Sequence, residues 1–191
     1  MRPIYRYIFC MTLLFLLIST RTASATTALY VTDSQQATIS TAVVIATIGD
    51  AKTSIHTEYN SIRTVTTIQI EEVLYGKAPV RLKIEQMGGT LNGRTLKIPG
   101  DATLKKGERC VLFLFQNTKG WFLTALQQSK YNLQAHPKLG WVMERNLPEG
   151  VVIRKPDGQL QSYKEAPNKP LKSLQDFRQK MQQLDAVRST K

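Results

Sequence analysis

Cysteine and histidine are the scarcest reactive residues of this chain, which has two of each among its 191 residues. Two cysteines cannot form the several disulfides that hold small secreted domains together. Two histidines exclude a histidine-rich metal cluster. The sequence also lacks a His-Glu-x-x-His motif, a Gly-x-Ser-x-Gly motif and a glycine-rich loop leading into a helix. These absences exclude the commonest signatures of zinc proteases, serine hydrolases and phosphate-binding proteins.

What the chain does contain is an ordinary globular composition with an excess of basic residues. Apolar residues make up 42% and charged residues 21%, which excludes a disordered or collagen-like chain. The formal net charge is +12, with most of the surplus after residue 100 and no run of five or six like charges. A diffuse basic surplus favours an anionic partner by general electrostatic attraction.

The N-terminus predicts a secretory signal peptide over residues 1–25. Arg2 and Arg6 precede an apolar stretch, Ile8 to Ile18, and the small residues Ala23-Ser24-Ala25 follow it. This stretch is about half the roughly 20 apolar residues that a membrane-spanning helix needs. We therefore expect a periplasmic or secreted protein without a transmembrane segment after cleavage, an uncleaved anchor being the alternative.

Cleavage would change the charge and the cysteine count. Removing residues 1–25 takes away three arginines and no acidic residue, so the formal charge falls from +12 to +9. Cys10 leaves with the signal peptide, and Cys110 is then the single cysteine. Cys110 lies in the apolar run RCVLFLF with no histidine nearby. We therefore expect a small buried side chain and not a nucleophile.

Residues 41 to 127 alternate short β-type runs with turns. The first two predicted strands are Thr41–Ile48 and Arg63–Leu74, separated by a polar loop at 49–61, with an irregular strand extension into that segment as the alternative. The apolar alternation of the second strand slips at Glu71-Glu72, which predicts a β-bulge. Further strands are predicted at Val80–Glu85, Thr95–Ile98, Cys110–Phe115 and Trp121–Leu126.

The turns between these strands predict hairpin connections. Asn92-Gly93 is a strong hairpin signal, because both residues tolerate a positive φ. Gly88-Gly89 just before it would allow a sharp bend, and Asn117–Gly120 predicts another turn. Five or six short strands joined this way predict a mainly β fold, a small antiparallel OB-like β-barrel, within a domain at 26–135.

Several segments of this region carry a resemblance. They are Ile70–Gly76, Gly88-Gly89, Ile98–Gly100, Gly107–Leu114 and Gly120-Trp121. In this order they resemble an uncharacterised OB-like β-barrel domain of secreted bacterial proteins, over roughly residues 40–135. Such domains sometimes accompany matrixin-type metalloproteases. The resemblance implies a fold, and without a His-Glu-x-x-His motif it implies no catalytic residue here.

Residues 136–191 predict a short β extension and a C-terminal amphipathic helix. Two β runs flank a turn at Pro156-Asp157-Gly158, and residues 164–170 form a linker. Ser173 to Asp176 is a capping-box pattern, with Leu171 as a possible hydrophobic staple. The stripe on the helix consists of Leu174, Phe177, Met181, Leu184 and Val187. We expect the helix to pack on the barrel, with partner docking or membrane-surface binding as alternatives.

Catalytic chemistry has little support in the sequence. His56 lies among polar loop residues and His136 precedes Pro137, so neither is in a recognisable catalytic setting. Glu71 and Glu72 are adjacent on a strand, which does not give the paired carboxylates of a glycosidase. We therefore expect no enzyme activity, no metal and no cofactor.

One cluster combines aromatic and basic residues as a ligand-binding surface would. Its members are Lys119, Trp121, Lys130, Tyr131 and Trp141. The alternative is that both tryptophans pack inside the protein.

Two classes of function follow for an exported protein. The first, which we expect from the sequence, is a structural or protein-interaction module of the cell envelope, docking on another protein through a strand edge or the C-terminal helix; the second is its alternative. The second is a binding module for an anionic polysaccharide or another polyanionic ligand on the barrel face. An exposed tryptophan pair beside lysines would favour the second class, and an exposed apolar stripe on the helix the first. We do not expect nucleic acid as the ligand of an exported protein.

Overall fold

The computed structural model describes residues 26–145, 151–154, 158–162 and 172–190, and within them the fold is mainly β. The elements in chain order are β1 (Thr26–Leu29), α1 (Asp33–Ile39), β2 (Ala42–His56), β3 (Ser61–Gly76), β4 (Arg81–Met87), β5 (Gly89–Leu91), β6 (Arg94–Leu96), β7 (Arg109–Asn117), β8 (Gly120–Leu123), β9 (Lys130–His136), β10 (Gly140–Glu144), β11 (Val151–Arg154), β12 (Leu160–Ser162), β13 (Lys172–Ser173) and α2 (Leu174–Ser189). The predicted mainly β fold with a C-terminal helix is confirmed. The predicted signal peptide, the linker at 164–170 and the staple residue Leu171 lie outside the described residues.

Five strands pair in a ring. β2 is antiparallel to both β3 and β7, and β4 is antiparallel to β3. β8 pairs with the end of β7 and returns to β4 through one parallel bridge, Ile84 to Trp121. The five strands thus form a ring that a single bridge closes between β4 and β8.

The sheet continues beyond the ring on the other half of β7. β9 pairs with Cys110 to Leu112, β10 pairs with β9, and β13 pairs with β10. β9 and β10 form a hairpin that spans the boundary predicted between residues 135 and 136. A separate three-stranded sheet has the order β1-β11-β12. Its β11–β12 hairpin flanks the turn that the sequence predicted, of which 155–157 lie outside the described residues.

The predicted loop at 49–61 is wrong. β2 continues to His56 and β3 begins at Ser61, so only residues 57–60 form the turn. The polar residues still pair through their backbones, after a register shift between Ile48 and Ala51. The predicted bulge is confirmed: Glu72 pairs with Ile45 and Ile70 with Ala46, which leaves Glu71 without a cross-strand partner.

Asn92 and Gly93 also behave as predicted. Both have a positive φ, of 50° and 76°, in the turn between β5 and β6. The backbone therefore adopts the conformation that the Asn-Gly hairpin signal requires.

Two hydrophobic cores lie on opposite faces of the sheet. The inner core lies within the ring and is built by Ala42, Val44, Ala46, Ile48, Ile68, Ile70, Leu82, Ile84, Cys110, Leu112 and Leu114. The outer core is built by Ala37, Val43, Ile45, Leu74, Tyr75, Val111, Phe113, Tyr131, Leu133, Met143, Leu174, Phe177 and Met181. Neighbouring residues of β2 and β7 thus enter different cores, as alternation along a strand requires.

Helix α2 covers the outer core, as the sequence predicted. The Ser173 hydroxyl accepts a hydrogen bond from the Asp176 backbone N–H and caps the helix. Leu174, Phe177 and Met181 are buried, whereas Val187 at the far end is 59% exposed. The Arg178 guanidinium also makes two hydrogen bonds to the Glu72 carboxylate on β3, at 2.7 and 2.8 Å.

Helix α1 was not predicted from the sequence. It is stabilised by a capping box in which Thr32 and Gln35 bond each other's backbone N–H. Its residue Asp33 is nearly buried and accepts hydrogen bonds from the Tyr131 hydroxyl and the Lys172 ammonium, at 2.7 and 2.6 Å. Burial would raise the pKa of Asp33, but these hydrogen bonds and the charges of Arg145 and Lys172 outweigh it and lower the pKa.

The packing of α2 gives a direct test. Met181→Ala should lower the free energy of unfolding by about 2–5 kcal/mol, because it leaves a cavity in the outer core. Val187→Ala is the control on the same helix, and we expect a change within about 0.5 kcal/mol. Urea unfolding followed by circular dichroism measures both. Equal small effects would contradict the packing of α2 on the sheet.

Gly76 gives a second test, because its backbone is in the left-handed region with φ of 74° and a Cβ there would collide with the Thr41 carbonyl oxygen. Gly93 has nearly the same φ, 76°, but nothing lies within 4 Å of the position that a Cβ would take there. Gly93→Ala should therefore cost only the backbone strain, about 1–2 kcal/mol. Gly76→Ala should cost about 1–3 kcal/mol more in urea unfolding because of the collision. Equal costs for the two substitutions would contradict this close approach.

Candidate functional site

The structure does not bring the five predicted ligand-binding residues together. Lys130 is 4% exposed, and its ammonium bonds the Glu108 carboxylate and the Thr103 carbonyl oxygen. Tyr131 is 3% exposed and lies in the outer core. Both are therefore removed from the candidate site, because burial and internal hydrogen bonds leave them without access to a ligand.

The two tryptophans lie in different surroundings. Trp121 on β8 is half-buried and packs against the inner core. Trp141 on β10 is 43% exposed, and the Arg109 guanidinium lies over its ring at 4.6 Å. The alternative that both tryptophans pack inside the protein thus describes Trp121 and not Trp141, and the two form no shared exposed surface.

Lys119 lies where two hairpin turns meet. Its ammonium donates to the Glu58 carboxylate at 3.0 Å and to the Tyr59 hydroxyl at 3.2 Å. Lys119 belongs to the β7–β8 turn, whereas Glu58 and Tyr59 belong to the β2–β3 turn. We call these three residues the clasp. In OB-like barrels, the loops at this end and the adjoining sheet face are where ligands bind.

The turns that carry the clasp are locally fixed. The Asn117 side-chain oxygen accepts from the backbone N–H of Lys119 and of Gly120, at 2.8 and 3.2 Å. The hydrogen bond from Lys119 lowers the pKa of Glu58, and in turn Glu58 raises the pKa of Lys119. Both side chains are more than half exposed, so the pair orders the two turns more than it stabilises the fold.

Beneath the clasp, His56 connects the turn to the sheet. Its ring centroid lies 4.7 Å from that of Tyr59, and its Nε2 lies 3.4 Å from the Glu85 carboxylate. Glu85 also accepts from Arg63 at 3.0 Å. His56 Nδ1 is buried and has no hydrogen-bond partner among the described residues. The buried Nδ1 is therefore closed to a ligand from the surface, while Nε2 faces the Glu85 carboxylate.

From His56 the outer side of β2, β3 and β4 extends as a polar surface. The register sets Lys52 opposite Val65 and Val65 opposite Glu85, with Lys83 opposite Thr67 in the next row. Leu82 and Ile84 point into the inner core, so Arg81 and Lys83 point outward and are exposed. We call Lys52, Arg63, Arg81 and Lys83 the basic face.

The charges of the basic face are only partly balanced. Arg63 is paired with Glu85, and Arg81 donates to the Gln69 amide oxygen at 3.1 Å. Within the described residues, no carboxylate forms an ion pair with Lys52, Arg81 or Lys83. Lys52 on β2 and the pair Arg81 and Lys83 on β4 flank β3, about 10 Å apart across the sheet, and are thus available to an anionic ligand.

Sequence reasoning missed most of this site. The alternation of Arg81 and Lys83 with Leu82 and Ile84 was a usable signal, since it sets both cations on one open face. Lys52 and Tyr59 were hidden because their segment was predicted as an irregular loop. Nothing in the sequence paired Lys119 with Glu58, which is 61 residues away.

Among the described residues, no group of three or more His, Cys, Asp or Glu side chains is arranged to hold a metal ion. His136 accepts backbone N–H groups of Lys138 and Leu139 at its Nδ1, which is a structural role. Cys110 is fully buried, and burial raises the pKa of its thiol to about 12.

Comparison of the chain with protein-family models, with curated proteins and with solved structures gives no match. The resemblance to the secreted OB-like domain therefore stays a prediction. Among the described residues, no helix is both long enough and apolar enough to cross a membrane.

The burial of Cys110 predicts an unreactive thiol. With a pKa of about 12, roughly one thiol in ten thousand is ionised at pH 8, and only the thiolate attacks iodoacetamide, with iodide as the leaving group. The Cys110 peptide should stay unmodified in the folded protein and become fully alkylated in 6 M guanidinium (about the concentration that unfolds most domains). Mass spectrometry of that peptide distinguishes it from Cys10. Labelling of the folded protein at the denatured rate would contradict the burial.

Proposed function

We propose that the chain is an exported, non-enzymatic binding module of the cell envelope that holds a polyanionic ligand on its basic face. The observation that carries this proposal is the set of three cations, Lys52, Arg81 and Lys83, that face outward without a carboxylate partner among the described residues. Unpaired cations on a rigid sheet attract anions without first breaking an internal ion pair.

The surrounding side chains suit a polar ligand. Thr67 and Gln69 lie between the cations on β3, and Ser54 lies beside Arg63. Their hydroxyl and amide groups can donate to and accept from a ligand that the cations attract. The face is open to solvent and extends over three strands, which favours an extended chain over a small enclosed molecule.

Docking of a partner protein through the C-terminal helix has less support. The side chains that would form its docking stripe, Leu174, Phe177 and Met181, are buried in the outer core. Only Val187 of the predicted stripe is largely exposed. One exposed valine does not make an apolar patch of the size that marks a protein interface.

Binding to sulfated dextran, a generic polyanion, tests the proposal. The triple variant Lys52→Gln, Arg81→Gln, Lys83→Gln should lose about tenfold or more in affinity at low salt, and should elute from a sulfated-dextran column at lower salt than the wild type. The reason is that all three removed charges belong to one face.

A charge-matched control separates the face from the overall charge. The variant Arg94→Gln, Lys138→Gln, Lys180→Gln removes three exposed cations from other elements. It should change the affinity by less than about twofold. Equal losses in the two triple variants would show that net charge alone attracts the polyanion, and the proposal would then fail.

A further inference from the structure

The clasp presents one aromatic ring beside the basic face. Tyr59 is 56% exposed, although its hydroxyl accepts from Lys119 and its ring leans on His56. An exposed side chain in a turn normally loses rotamer freedom when it binds a ligand. Contacts at both ends of Tyr59 have already ordered it, so its free surface is a preorganised platform for a flat apolar group.

Tyr59 lies next to the basic face. His56 contacts Tyr59 on one side and Glu85 on the other, and Glu85 pairs with Val65, which is opposite Lys52. A chain that lies along the cations would therefore run from β4 toward the clasp. One unit of that chain would lie over the Tyr59 ring.

The charges around Tyr59 decide which chemistry fits that unit. Glu58 holds a carboxylate beside the ring, with its pKa lowered, and Glu85 holds another behind His56. The cation beside the ring, Lys119, is already paired with Glu58 and is not free for a phosphate, whereas a sugar hydroxyl can donate a hydrogen bond to the Glu58 carboxylate. The C–H face of a sugar ring can cover the exposed apolar surface of Tyr59.

We infer that the polyanion is an acidic polysaccharide, with a sugar ring stacked on Tyr59 and acidic groups on Lys52, Arg81 and Lys83. This inference rests on the proposed function, because it adds a subsite to the basic face. We therefore expect polyphosphate and single-stranded nucleic acid to bind more weakly at the clasp than an acidic polysaccharide does. Both can use the cations, but a sugar ring best fits an aromatic platform next to a carboxylate.

The test compares Tyr59→Ala, Tyr59→Phe and the wild type with three probes: a galacturonate hexamer, inorganic polyphosphate and a thymidine oligonucleotide. Tyr59→Ala should weaken binding of the galacturonate hexamer by about tenfold and leave polyphosphate binding within about twofold. Tyr59→Phe keeps the ring and should stay within about threefold of the wild type. Isothermal titration calorimetry at one fixed salt concentration measures all nine combinations.

The control is Tyr30→Ala, a partly exposed tyrosine after β1 that should change none of the three affinities. Thermal unfolding of each variant establishes that it is folded, as expected for exposed positions. Loss of oligonucleotide binding in Tyr59→Ala as large as the loss for galacturonate would make Tyr59 a platform for bases and overturn the inference. Unchanged galacturonate binding in Tyr59→Ala would also overturn it.

Different results would disprove the Tyr59 subsite and the proposed function. If the basic-face triple variant loses all three probes while Tyr59→Ala loses none, the basic face remains a polyanion site without a sugar subsite. If the wild type binds none of the probes, both the proposed function and the subsite fail.

Discussion

Burial of β2 and β7 on both faces is the constraint on which the rest of the structure depends. Ala42 to Ala46 and Cys110 to Leu114 are all completely inaccessible to solvent. The two strands are hydrogen-bonded neighbours, so alternate side chains enter the inner core and the outer core from a common backbone. The inner core is enclosed by the ring itself, whereas the outer core needs α1, α2, β9 and β10 to cover it.

The helices cover only one end of the outer side of the sheet, so this side has a covered region and an open region. Helix α2 reaches β3 near Glu72 and Gly76, where Arg178 and Asp185 bond the strand. On the other side of the bulge at Glu71, no helix of the described residues covers the sheet. There the outer side of β2, β3 and β4 carries the basic face, and the turn between β2 and β3 belongs to the clasp. The register shift of β2 between Ile48 and Ala51 lies between the two regions, so the strand that anchors the core also supplies the open surface.

Patterns of neighbouring residues in the sequence predicted those strands and helices that are determined by residues close together in the chain. The alternation in β4, the continuous apolar run of β7 and the cap and stripe of α2 each determine an element without reference to distant residues. Helix α1 has no comparable stripe; it depends on a capping box and on the contact of Gln36 with Ser129, 93 residues away. The outer half of β2 is polar and pairs through its backbone, which hydrophobic periodicity does not detect.

The candidate site was only partly predictable for the same reason. Lys119 does lie at the surface, but Lys130 and Tyr131 are buried and only looked like surface residues because their partners lie far away in sequence. Lys130 is satisfied by Glu108, and Tyr131 by Asp33, which is 98 residues away. A basic or aromatic side chain is available to a ligand only when the fold does not pair it internally, and that pairing is a tertiary property.

The hydrogen bond between Asp33 and Lys172 has a consequence for the order of assembly. It joins residues 139 positions apart, and Phe177 and Met181 enter the same outer core a few residues later. Closing so long a loop costs chain entropy before any contact forms, which slows folding of structures rich in distant pairs. During synthesis, α1 and the ring strands at 42–123 emerge before α2, so part of the apolar face of β2 and β7 has no cover until that helix is made. We therefore expect the outer core to exclude water later than the inner core.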